Sequence, residues 1–70
     1  MLNPQQLRTL EDLLDKTDLS HFLEAVSDIC HSKAAHVRHV WQDETIARFW
    51  EQAGAATEKL AGTPAIRRIP

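Results

Sequence analysis

Glycine and proline are almost missing from the body of this chain. Its 70 residues hold two glycines and three prolines, and none lies between Gln5 and Ala53. No Asn-Gly or Asp-Gly pair and no run of alternating β-branched residues is present, which excludes folds built on tight β-hairpins. The single cysteine, Cys30, cannot bridge within the chain, so a disulfide scaffold is ruled out. Tyrosine is absent, and the aromatic residues are Phe22, Trp41, Phe49 and Trp50. No apolar run approaches the roughly 20 residues needed to span a bilayer, and Met1-Leu-Asn-Pro lacks the basic and apolar regions of a signal peptide. With a free thiol, these absences set the expectation of a cytoplasmic protein without a membrane partner. A strong positive charge is missing as well. The formal net charge is −2, which argues against affinity drawn mainly from phosphate neutralisation.

What is present reads as helix throughout. Asn3 is placed to cap, Pro4 suits the first helical position, and Gln6 completes a capping-box spacing. Leu7, Leu10, Leu13 and Leu14 then form one stripe, so the first helix is expected over about 4–16. Thr17, Asp18 or Ser20 caps a second helix over about 19–41, some ~33 Å long, whose stripe runs Leu19, Phe22, Leu23, Val26, Ile29, Cys30, Val37, Val40 and Trp41. Glu24, Asp28, His31, Arg38 and His39 fall on its opposite side.

The next stripe is Ile46, Phe49, Trp50, Ala53, Thr57 and Leu60. On a continuous helix it would point about 180° away from the one before. A turn near Gln42 and Asp43 brings both stripes to one interior, with Asp43 capping a third helix over about 44–61 and Glu44 pairing with Arg48. Gly62 and Pro64 end it. The expected fold is therefore all-α: a short N-terminal helix plus an antiparallel helical hairpin, a single domain over 1–62 with a flexible, extended basic tail over 63–70. In the register that joins the two stripes, Val40 faces Ile46, Val37 meets Phe49 and Trp50, Lys33 faces Ala53, and Val26 approaches Leu60. Leu19, Phe22 and Leu23 then need the leucines of the first helix.

A chain of this size folds to an accessible surface of about 4,400 Å², and at that size apolar burial barely offsets ordering entropy. Completion by dimerisation into a helical bundle is the expected remedy. The residues that deviate from simple packing are the candidate interface: Lys33, set inside an apolar stripe; His36, at its border; Trp41, at its edge beside the turn; Asp43, at the turn; and Trp50. Lys33 either snorkels past the small Ala53 or pairs with a carboxylate, Glu51 or an acid from a second chain.

Chemical constellations are weak by comparison. Cys30, His36, His39 and Asp43 hint at metal ligation, but Cys30 and His39 project about 180° apart on one helix, and no Cys-x-x-Cys or His-Glu-x-x-His occurs. Ser20 and Ser32 lack a glycine-rich elbow, His31 points about 100° away from Cys30, and a base for that thiol would have to be His36 or a residue of another helix. No catalytic residue, metal site or cofactor is expected. The leading expectation is a non-enzymatic protein acting through protein–protein association, as a homodimer or as an adaptor. The alternatives are a small nucleic-acid-associated regulator using Arg67 and Arg68, and a metal-binding helical protein.

Overall fold

The computed structural model describes residues 1–69 and is all-α. Helix α1 spans Pro4–Asp15 and α2 spans Leu19–His36, continuing into a π-helical turn over Val37–Trp41; α3 spans Glu44–Ala61 and a one-turn α4 spans Pro64–Arg67. The ends are where the local chemistry puts them. Asn3 and Gln6 exchange both capping-box hydrogen bonds, the Asp18 carboxylate accepts from the His21 N–H to start α2, and Asp43 accepts from the Ile46 N–H to start α3. The tail departs from the expected extended chain. Pro64, with its fixed φ, opens a short helix that folds back against α2 and α3, with Ile66 half-buried. Residue 70 of that tail lies outside the described residues.

The chain reverses at Gln42, as the stripe phases require, but not through a regular helix end. The last turn of α2 widens to π geometry, and the Gln42 N–H bonds back to the Val37 carbonyl. Gln42 itself adopts φ 52°, ψ 34°, a left-handed conformation more often given to glycine or asparagine. A π turn rotates less per residue than an α turn. Over these residues the lag is on the order of tens of degrees, which swings Trp41 away from α3 and toward the bulky side of the hairpin.

The register of the hairpin differs from the one that joins the two bulky stripes. The Ser27 hydroxyl donates to the Gly54 carbonyl at 2.7 Å, and the Ser20 hydroxyl donates to the Ala61 carbonyl at 2.8 Å. The same offset brings Ala34 level with Ala47. Small residues therefore recur every seven positions on both helices, Ser20, Ser27 and Ala34 against Ala47, Gly54 and Ala61. Apart from the half-buried Ser20, these are the buried residues of the two helices together with Cys30. Their size lets the two backbones approach closely, and the serine hydroxyls reach carbonyls that larger side chains would cover. With the seam on this face, the bulky stripes lie roughly 100° round each helix. In an antiparallel pair both rotate to the same side.

The hairpin thus has a seam of small residues, an apolar front and a polar back. Among the described residues no large side chain is fully buried. The first helix does not close the front: α1 buries none of its residues and packs only lightly against the hairpin, with Leu14 alone half-buried. The molecule extends 39 × 30 × 17 Å, and its accessible surface of 5685 Å² exceeds by roughly 1,300 Å² the area expected for a compact chain of this mass.

Two predictions follow from the seam and the cap. A Cβ at Gly54 would lie 2.9 Å from His31 Nε2 and 3.2 Å from Cys30 Cβ. Gly54→Leu is expected to lower stability by about 1–3 kcal/mol in urea denaturation, although leucine favours helix over glycine. At the other end, His21 Nδ1 lies 2.8 Å from Asp18 Oδ2. Asp18 is held below its ordinary 3.8 by the His21 backbone N–H and ring, and His21 is held above 6.5 by hydrogen bonding to Asp18. The contribution from Asp18 is present above pH 3.8 and is lost as pH falls through its depressed value. The contribution from His21 is complete below pH 6.5 and is lost as pH rises through its raised value. Thermal melts should show a shallow maximum between these limits. Asp18→Asn, which keeps a capping oxygen, should remove the decline on the alkaline side.

Candidate functional site

The front of the hairpin carries an open groove of about 740 Å³. Its walls are Ile29 from α2, Val37 and Trp41 from the π turn and Trp50 from α3, and its polar edge is Asp28, Ser32, Lys33 and His36. Four of the five residues nominated from sequence, Lys33, His36, Trp41 and Trp50, line this groove together. The fifth does not. Asp43 caps α3, its carboxylate 3.0 Å from the Ile46 N–H.

Lys33 sits among apolar neighbours as its place in the stripe implies, and it is exposed, as a snorkelling lysine would be. Its Nζ lies 5.8 Å from the centre of the Trp50 ring, within cation–π reach, rather than over Ala53. Glu51, one of the carboxylates considered for it, is engaged elsewhere, by Arg38 Nη1 at 2.7 Å. Among the described residues Lys33 makes no ion pair.

Trp41 and Phe49 are 73% and 59% exposed, and Ile29 is 56% exposed. Each belongs to a stripe expected in the interior. The physical reason is the seam: residues that fill no volume let the helices approach most closely, so the bulky ones are turned outward.

The back of the hairpin is held by charge. Arg38 bridges Glu44 at 2.8 Å and Glu51 at 2.7 Å, and the Glu44 carboxyl also lies 3.8 Å from Arg48. Hydrogen bonds to the two glutamates push the Arg38 guanidinium further up, and Arg38 in turn lowers Glu44. Arg38 was assigned to the solvent side of α2, and its half-buried place across the π turn went unforeseen. Its six-residue separation from Glu44 was the available signal. A turn at Gln42 brings those two positions side by side.

A second groove, of about 630 Å³, lies between Leu7, Leu10 and Leu14 of α1 and Phe22 of α2. The leucine stripe therefore opens toward the apolar front without covering it.

The remaining candidates are dispersed. Cys30 is buried in the seam, His36 borders the groove and His39 is exposed. No three His, Cys, Asp or Glu side chains converge on one point among the described residues. Arg67 and Arg68 are exposed at the end of α4, with Arg67 close enough to His21 to oppose its protonation. Asp28, Ser32 and His36 follow one another at four-residue intervals along the groove. Among the described residues no side-chain hydrogen bond joins them, and serine stands between the acid and the histidine rather than beside an oriented base. Proton relay requires the histidine in the middle. No helix of the described residues is long and apolar enough to cross a membrane. Compared with known proteins, the chain matches no family model, no curated sequence and no solved structure.

Proposed function

We propose that this chain is a non-enzymatic association module that acts as a homodimer in the cytoplasm, a second copy covering the apolar front of the hairpin. The observation that carries this reading is the outward placement of Ile29, Val40, Trp41, Ile46 and Phe49 beside a groove with two tryptophans. Large exposed apolar patches mark interaction surfaces. The surplus surface of roughly 1,300 Å² exceeds the ~800 Å² that each partner contributes to a standard interface. Lys33 and His36 supply polar edges that fix orientation, and Trp41 and Trp50 supply the aromatic anchors that dominate binding energy.

The test exploits the exposure of these side chains in a single chain. Trp41→Ser and Phe49→Ser should each change monomer stability by less than about 0.5 kcal/mol, as ordinary surface substitutions do. Both should weaken dimerisation measured by sedimentation equilibrium by about tenfold or more. Wild-type protein that remains monomeric at 100 micromolar (on the order of the weakest specific dimers) would overturn the reading.

A further inference from the structure

We infer that the element seated in each groove is α1 of the second copy, so that the two chains exchange their N-terminal helices. This rests on the association reading and names the contact that makes it. Each chain carries two unpartnered apolar surfaces, the leucine stripe of α1 and the groove on the hairpin front, and the connection between them prevents their full union within one chain.

The reach of α1 decides this. Leu14 and Phe22 line one groove, which fixes how α1 would lie if it folded back along α2. Pro4 would then come level with residue 32 or so, roughly 13 Å short of Trp41 at 1.5 Å per residue. Val37, Trp41 and the far wall of the groove would stay uncovered. An α1 from a second copy is under no such restraint. Its 12 residues are about 18 Å long, the same as the rise from Ile29 to Trp41 along α2. An amphipathic helix laid in an apolar groove through leucines at three- and four-residue intervals is a recurrent mode of recognition.

Charge supports the same occupant. Arg8 and Glu11 both border the leucine stripe beside Leu7, Leu10 and Leu14, with Asp12 and Asp15 on the same helix. The groove offers Lys33, unpaired among the described residues, with Asp28 and His36 on the same polar edge, so each surface carries an acid and a base for the other. Seating α1 brings Glu11 to a lysine that makes no ion pair among the described residues. Two such contacts related by a two-fold axis close the assembly and leave neither stripe open.

Charge reversal in the full-length chain separates exchange from folding back. Lys33→Glu and Glu11→Lys, each alone, should weaken self-association about fivefold or more in sedimentation equilibrium, because each sets like charges together twice in every dimer. Mixing the two variants should restore association. The mixed dimer pairs Glu11 of one chain with Lys33 of the other at one contact and reverses the same pair at the second. Leu10→Ser should weaken the wild-type dimer about tenfold. Restoration on mixing, together with the Leu10 effect, establishes the exchange. If the wild type dimerises and these substitutions leave it unchanged, the exchange is overturned and the association reading stands. Restoration only when both substitutions share one chain, without restoration on mixing, also overturns the exchange, since α1 then lies on its own hairpin. A monomeric wild type overturns both.

Discussion

The close contact of α2 with α3 governs everything else in this molecule. Ser20, Ser27 and Ala34 meet Ala47, Gly54 and Ala61 at seven-residue steps, and two serine hydroxyls donate across the seam to carbonyls of the facing helix. Side chains of this size contribute little hydrophobic burial one by one. Their effect is geometric: two backbones approach closely along about four turns, with dispersion contacts between main chains. Once that seam is set, the rotation of each helix is set too. The bulky stripes, about 100° away, have only the front on which to lie.

An exposed apolar front is the consequence of that seam. In a larger chain, a third helix would cross the hairpin and cover it. Here α1 is only 12 residues long and is tied by a three-residue link at the wrong end for Trp41. The polar back, clamped by Arg38 on Glu44 and Glu51, takes no part in this. Its charges hold the π turn against the start of α3 and keep that side in water, so the two faces of the plate differ sharply in chemistry. A surface of that kind favours one mode of pairing over many.

Most of the architecture was legible in the sequence. The caps at Asn3 and Asp43, the reversal at Gln42 and the helix ends at Gly62 and Pro64 rest on local chemistry, which a single chain displays. The phase jump between Trp41 and Ile46 located the reversal without glycine or proline to mark it. The seam was not read, because apolar periodicity draws attention to large side chains, and Ser20, Ser27 and Gly54 do not register as core. The pattern was nonetheless there, as small residues seven apart on two helices. The register that joins the bulky stripes is not the one the two helices adopt. Lys33, His36, Trp41 and Trp50 share one groove because the seam of small residues turns the bulky stripes of both helices to the front. The π turn had no sequence signal, and it is what moves Trp41 toward that groove.

Tryptophan emission as a function of concentration tests the central claim most directly, since both tryptophans line the surface that the account leaves open in a single chain. On dilution to nanomolar concentrations, emission should sit near that of a water-exposed indole. It should move to shorter wavelength as concentration rises into the micromolar range, following the same curve as the mass measured by light scattering. Emission that stays unchanged across that range, whether exposed or buried throughout, would contradict a hairpin whose small-residue seam turns its tryptophans outward to be covered by a second copy.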